Sequence, residues 1–257
     1  MNHIHEVASI IFAAGKGSRM RHFEGNKTLL PLIPDDSPFR GNQLFLTNIL
    51  EHLPPGPKAV VVHQPVLDGT GGALLAAKSF IRDTPPDSVI ITMGDIPLVK
   101  KSTYADLVKG LEKSRFMVLG FQPEDKKQYG LLDVDGDVVR KIVEWKYWKS
   151  YSGPDQARLR ICNSGIYAAR RPDLLKYIDI LEIKPHTVMK ERDGKLVEIK
   201  EYFITDIIEL MVRDGLHVGY TIAPDENEVM GVDDLSSLKK AQAIYTKERS
   251  IPWPKNP

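Results

Sequence analysis

The chain has 257 residues, 42% hydrophobic and 27% charged, with 35 Lys and Arg against 34 Asp and Glu. That length buries a sizeable core in one large domain or two small ones, and the charge balance supplies no overall field for nucleic acid or an anionic membrane. A single cysteine, Cys162, excludes an intramolecular disulfide and fits a reducing compartment. The first apolar run, Val7 to Ala14, has no basic segment before it and leads into Gly15-Lys16-Gly17, so it reads as a buried strand and not a signal peptide. No stretch approaches the roughly 20 apolar residues of a membrane span. The expected location is the cytoplasm.

Short Val- and Ile-rich runs at Val7–Ala13, Ala59–His63, Val89–Met93 and Phe116–Gly120 read as strands. Between them, Leu44–His52, Gly72–Ile81 and Tyr104–Lys113 carry apolar residues at helical spacing. This alternation predicts βαβ units and a mainly parallel sheet covered on both faces. After residue 120 the pattern changes: Tyr129–Val134 and Val138–Val143 flank Asp135-Gly136-Asp137, a hairpin signal. Trp145–Arg160 is aromatic, basic and turn-rich, and reads as a loop or short helix over a site. Further strands are expected at Ile161–Ala168 and His217–Ala223, and helices at Asp173–Tyr177, Ile204–Asp214 and Asp234–Glu248. The tail Ile251–Pro257 holds three prolines and is expected to be extended. One domain over 1–257 is expected, divided at about 120 and 230 into a first half, a smaller lobe over its strand ends, and a closing segment with a helix.

The stretch Ile10 to Met20 is the most informative. A buried strand ends in Ala13 and Ala14 and turns through Gly15 and Gly17, where backbone amides approach an anion closely, and Ser18 and Arg19 follow, the latter a planar cation suited to phosphate oxygens. A Walker loop needs a Gly-Lys-Ser/Thr that Gly15-Lys16-Gly17 does not supply. A dinucleotide fingerprint needs a third glycine where Met20 stands, and an acidic residue where the second strand ends at His63 and Gln64. A glycine turn beside a surface arginine is the plainer alternative. Further on, Met93-Gly94-Asp95 sets Asp95 at the carboxyl end of a buried strand, where α/β ligand sites lie, although a lone aspartate there also serves as a helix cap.

The run Ala13 to Met20, followed by Lys27-Thr28-Leu29-Leu30-Pro31, resembles the signature loop and lysine segment of the sugar-nucleotide pyrophosphorylases. More specifically, the chain from Ile10 to about Ile244 resembles the N-terminal uridylyltransferase domain of bacterial N-acetylglucosamine-1-phosphate uridylyltransferases. That family has a Rossmann-like, GT-A-like nucleotide-diphospho-sugar transferase fold. The resemblance implies that the loop and Arg19 hold the triphosphate, that Lys27 neutralises charge, and that Asp95 and Asp233 hold Mg²⁺. Asp233, in Gly231-Val232-Asp233-Asp234, stands where the family usually has asparagine, and either it or Asp234 can cap the last helix. Gln64 and Gly69-Thr70-Gly71-Gly72 resemble the segment around the nucleobase, with Gly94 beside the nucleotide.

For the sugar, Gln128-Tyr129-Gly130, Ile142-Val143-Glu144-Trp145-Lys146, Cys162-Asn163-Ser164-Gly165 and Glu201-Tyr202-Phe203-Ile204-Thr205-Asp206 resemble four family segments in family order. They imply contacts from Gly130, Glu144, Lys146, Asn163, Tyr202 and Thr205, with Phe203 in place of a tyrosine. Singly, each segment reads as a turn glycine, a surface ion pair, a strand-to-turn asparagine and a helix start. The implied partners are a nucleoside triphosphate, UTP by resemblance, and a sugar 1-phosphate, N-acetylglucosamine 1-phosphate by resemblance; the implied product is a nucleotide sugar with release of pyrophosphate. Lys27 to Gln64 is shorter than the family spacing and Glu144 to Asn163 somewhat longer, so base and sugar stay open. Rival readings are a same-fold enzyme with another base or phosphorylated acceptor, a non-catalytic nucleotide-binding module, and a glycosyltransferase, whose usual Asp-x-Asp is missing at Met93-Gly94-Asp95. No hexapeptide repeat follows the last helix, so neither an acetyl-transferring β-helix nor its trimer is expected. The oligomeric state stays open.

Overall fold

The computed structural model describes residues 6–14, 20, 23–62, 69–192 and 195–250; the tail 251–257 lies outside them. β1 (Ala8–Phe12) is followed by the hairpin β2 (Pro31–Pro34) and β3 (Gly41–Leu44), helix α1 (Phe45–His52) and β4 (Lys58–Val61). Helices α2 (Gly69–Ala76) and α3 (Lys78–Asp83) precede β5 (Ser88–Met93), and α4 (Lys101–Lys109) precedes β6 (Phe116–Phe121). The hairpin β7 (Leu131–Asp135) and β8 (Val138–Val143) turns at Gly136, φ 60°, as its Asp-Gly-Asp signal requires. The aromatic stretch forms two short helices, α5 (Trp145–Trp148) and α6 (Gly153–Arg158). Then come β9 (Ile161–Arg170), α7 (Arg171–Glu182), β10 (His186–Arg192), β11 (Lys195–Glu201), α8 (Ile204–Arg213), β12 (Val218–Ile222) and α9 (Leu235–Ser250).

Eight strands form one sheet in the order β4-β1-β5-β9-β6-β12-β8-β7. β1 is parallel to β4 and β5, and β12 to β6, while β9 runs antiparallel between β5 and β6. Successive residues of the central strands face opposite layers. Ile10 and Ile91 join the layer under α2, α7 and α8, whereas Ile11 and Ile90 join the one under α1 and α4. Burial on both faces is why these strands read as continuous apolar runs. A third apolar cluster, with Leu32, Phe45, Leu238 and Tyr245, seats α9 on β2.

β9 changes neighbours along its length. Its start pairs with β6 and β7 (Cys162 opposite Phe121 and Leu131), and its end with β6 and β5 (Tyr167 opposite Val118 and Ile91). β7 and β5 therefore follow one another along the same edge of β9 and part around Asn163–Gly165, with Gly165 at φ +81°.

Two expectations need amending. The helix expected at Gly72–Ile81 starts earlier, at Gly69, and breaks at Ala77, whose N–H tightens onto the Leu74 carbonyl at 3.1 Å. The ribbons β2–β3 and β10–β11 lay outside every strand expected from the sequence.

The fold makes a stability prediction. The hydroxyls of Thr92 and Tyr104 meet at 2.9 Å in the core, both fully buried. Thr92→Val leaves the Tyr104 hydroxyl buried without that partner, and is expected to cost about 1–3 kcal/mol, read as a lower urea midpoint at unchanged m-value.

Candidate active site

β1 and β5 end side by side, Phe12 opposite Met93. The residues that follow, Ala13 and Ala14 on one strand and Gly94 and Asp95 on the other, line a cavity of about 360 Å³ with Lys27, Gly69 and Thr70. Gly94 is dictated by crowding: its N–H donates to the Phe12 carbonyl at 2.9 Å, and a Cβ there would lie 2.4 Å from Thr28 Cγ2. Asn26 fastens the turn that carries Lys27. Its amide donates to the Ala13 carbonyl at 2.7 Å, and its side-chain oxygen accepts from the N–H (3.0 Å) and hydroxyl (2.9 Å) of Thr28.

The Lys27 side chain is 11% exposed, and its ammonium lies 2.8 Å from Asp233 Oδ1 and 3.4 Å from Asp95 Oδ2. Both capping alternatives raised by the sequence fall to other residues. The start of α4 is served by Glu228, whose Oε2 accepts from Lys100 N–H at 3.3 Å and from the Thr103 hydroxyl at 2.6 Å. The start of α9 is served by Asp234, whose carboxylate accepts from Ser237 N–H at 2.8 Å and lies below its ordinary pKa for that reason. That leaves Asp95 to line the cavity and Asp233 to pair with Lys27, and Val232 N–H to the Asp95 carbonyl, 2.8 Å, pins their segments together. Desolvation raises the Asp95 carboxyl above its ordinary range, against the pull of Lys27 and with a further push from Asp233. The 37% of that side chain still exposed faces the cavity, and the protein atoms crowded around the rest set the direction.

Thr70 and Met93 also line a second, larger cavity of about 960 Å³, so the two chambers adjoin. Glu144, Lys146, Asn163 and Thr205 line it. Asn163 sits at the fork: its N–H donates to the Gly130 carbonyl at 2.8 Å, its amide to the Tyr167 hydroxyl at 2.9 Å, and its Oδ1 accepts from Gly165 N–H at 3.1 Å. Gly130 packs against Ile142 and the Glu144 carboxylate, where a Cβ would lie 2.9 Å from Ile142 Cγ2 and 3.4 Å from Glu144 Oε2. Burial raises the Glu144 carboxyl, with Lys146 opposing and Asp206 reinforcing the shift. The Lys146 ammonium lies 4.8 Å from the Tyr147 ring centroid.

Tyr202 lines neither chamber; its carbonyl accepts from Gly71 N–H at 2.8 Å and seats the start of α2. Arg19, Gly15, Gly17, Ser18 and Gln64 lie outside the described residues. Asn26 and Glu201 in the first chamber, and His186 and Asp206 in the second, were not singled out from the sequence. Glu201 and Asp206 lie inside a segment quoted above; Asn26 carried only the weak signal of an Asn before a turn, and His186 carried none.

Among the described residues no group of three or more His, Cys, Asp or Glu converges on one point. The donor set that does converge, two carboxylates already sharing one cation, fits Mg²⁺, which is held by one or two carboxylates together with substrate phosphates.

The chain has a mixed α/β, GT-A-like fold, the fold of its nucleotidyltransferase neighbours. Two solved structures share it. A Bacillus anthracis protein assigned as a glucose-1-phosphate thymidylyltransferase, in complex with sucrose, is 20% identical with TM-score 0.59 and covers 97% of this chain and 98% of its own. A nucleotidyl transferase from Methanothermobacter is 15% identical with TM-score 0.56, covering 95% and 99%. No protein-family model matches the chain. By sequence it is similar to the bifunctional protein GlmU of Rhodopseudomonas palustris, 31% identical over 261 residues, and to that of Wolbachia pipientis, 28% over 258 residues. These alignments cover 92% and 93% of the chain but 52% and 54% of the relatives, so the chain spans about half their length. What the chain is similar to, by sequence and by fold, is sugar nucleotidyltransferases.

The Glu144 environment makes a pH prediction. A carboxyl raised on folding contributes stability that is present below its unfolded value, here near 4.5, and lost as the pH climbs through the folded value. Glu144→Gln has no charge to bury. It is expected to melt higher than the wild type at pH 8, with the lead shrinking toward pH 4; an equal lead at both would show that burial does not strain this carboxyl.

Proposed function

We propose that the chain transfers the nucleotidyl group of a nucleoside triphosphate to a sugar 1-phosphate, releasing pyrophosphate, with UTP and N-acetylglucosamine 1-phosphate as the substrates. The observation that carries this reading is one buried cation, Lys27, held between Asp95 and Asp233 beside the first chamber, which adjoins the second at Thr70 and Met93. The relatives named GlmU support the class of chemistry, and the four acceptor segments quoted from the sequence support the sugar.

In this reading an oxygen of the sugar phosphate attacks the α-phosphorus, a new P–O bond forms, and the bond to the β-phosphate oxygen breaks with its electrons leaving on pyrophosphate. A phosphate monoester is largely ionised at neutral pH, so no enzyme base is required. The residues' task is positioning and charge neutralisation. Gly94 and Ala13 leave room for the phosphates, Lys27 balances their charge, and Glu144, Asn163 and Thr205 orient the sugar in the second chamber. Asp95 and Asp233 would hold Mg²⁺, which supplies Lewis-acid charge stabilisation when bound. Asp233 in place of asparagine adds a negative charge to that pair and strengthens the demand for a cation. Arg19 serves the triphosphate in this reading by resemblance.

Pyrophosphate release tests it, with UTP against CTP, GTP and dTTP and a panel of phosphorylated acceptors. Turnover is expected to need Mg²⁺ and to be abolished in Asp95→Ala, with the fold retained by circular dichroism. Lys27→Ala and Arg19→Ala are each expected to lower kcat/KM by roughly 10²–10³, the scale of one preorganised charge-stabilising donor. Nucleotide binding without release for any acceptor would favour a non-catalytic module. Losses below about threefold in both cation variants would mean that the loop is structural.

A further inference from the structure

A separate cavity of about 530 Å³ lies behind the acceptor chamber and takes no part in the mechanism above. Three elements build it. α8 contributes Asp206, Glu209, Leu210 and Arg213, spaced i, i+3, i+4, i+7 and so one stripe of the helix. β8 contributes Arg140 and Lys141. The β7–β8 ladder shifts register there, with Asp133 opposite Lys141 but Val134 opposite Val139, so Arg140 is a bulged residue and two adjacent cations line the same cavity. The turn between α7 and β10 closes the cavity with Lys184, Pro185 and His186.

Its charges divide into paired and unpaired. Arg140 pairs with Asp135, Arg213 with Asp214, and His186 Nε2 donates to Asp206 Oδ2 at 2.8 Å. The side chains of Lys141 and Lys184 have no such partner among the described residues, while Leu181, Pro185, Leu210 and Val212 supply apolar surface. Glu209 bounds the acceptor end. Lys141, His186, Asp206 and Glu209 line this cavity and the acceptor chamber alike, so the His186–Asp206 pair is a shared wall.

We propose that this cavity binds a small dianion of the phosphate-monoester type between Lys141 and Lys184, with its carbon skeleton on the apolar surface, and that occupancy is coupled to acceptor binding through the His186–Asp206 wall. A dianion there competes with Asp206 for the His186 Nε2–H, and the rearranged pair presents a different wall to the acceptor. Coupling of this kind is reciprocal, so the acceptor alters dianion affinity by the same factor. The coupling rests on the proposed acceptor; the binding does not.

The test is a titration of the full chain with glycerol 3-phosphate at constant ionic strength. Affinity is read by calorimetry and location by the NMR signals of the His186 ring. Saturable one-site binding that moves His186 is expected. Lys184 lines this cavity alone, and Lys184→Glu is expected to weaken binding by roughly fivefold or more, the scale of about 1 kcal/mol for an exposed charge contact, while Lys184→Arg stays within about twofold. Saturating N-acetylglucosamine 1-phosphate is expected to shift the affinity without abolishing binding. Lack of saturation, equal affinity in Lys184→Glu and wild type, or full displacement by the acceptor would each overturn the proposal, the last by placing the dianion in the acceptor's own phosphate subsite. Should N-acetylglucosamine 1-phosphate not bind at all, the proposed substrate fails while the Lys184 comparison still decides the dianion site.

Discussion

A buried ammonium shared by two carboxylates organises this protein. Lys27, Asp95 and Asp233 come from a turn after β1, the end of β5 and the segment before α9, which are remote in sequence. Bringing two aspartates together near the floor of a cleft is costly unless a cation stands between them. Each chain segment is tied by a bond of its own: Asn26 holds the lysine turn to Ala13, Val232 holds the Asp233 segment to the Asp95 backbone, and Ser237 turns Asp234 toward the helix and away from the site. Glu228 has the corresponding role at α4. The caps are thus part of the site, because the carboxylates taken up by helix starts leave Asp95 and Asp233 to Lys27.

The sheet supplies the second constraint. One strand, β9, carries β7 and then β5 on a single edge, and Asn163 occupies the parting between them. Its three hydrogen bonds hold the backbone at Gly130, the Tyr167 hydroxyl and the turn at Gly165. The groups that line the second chamber are thereby fixed to the framework that fixes Asp95.

Much of this was legible in the sequence. The doubly buried strands announced themselves by length and Val/Ile content, and the Asp-Gly-Asp hairpin by its turn chemistry. The strand-end position of Asp95 followed from the apolar run before it. What escaped was set by partners distant in the chain. The β10–β11 ribbon is polar and alternates weakly, with Met189 and Leu196 exposed, so no periodicity marked it. The helix at Gly72–Ile81 was expected as one piece because the apolar spacing continues through Ala77, whereas the break is a backbone event that side-chain pattern does not encode. The choice between Asp233 and Asp234 as cap is settled by Ser237, which the sequence shows but does not orient. His186 meets Asp206 because the antiparallel ribbon sets it opposite Glu201, just before α8 begins.

The shared strand has a mechanical consequence. Because β5 and β7 are both laddered to β9, the spacing between the two chambers is graduated in residues of a single backbone, about 3.3 Å apiece. The protein therefore carries a ruler, with Asn163 as its mark. Lengthening or shortening β9 by a pair of residues would shift Glu144, in the second chamber, relative to Thr70 and Met93, where the two chambers adjoin.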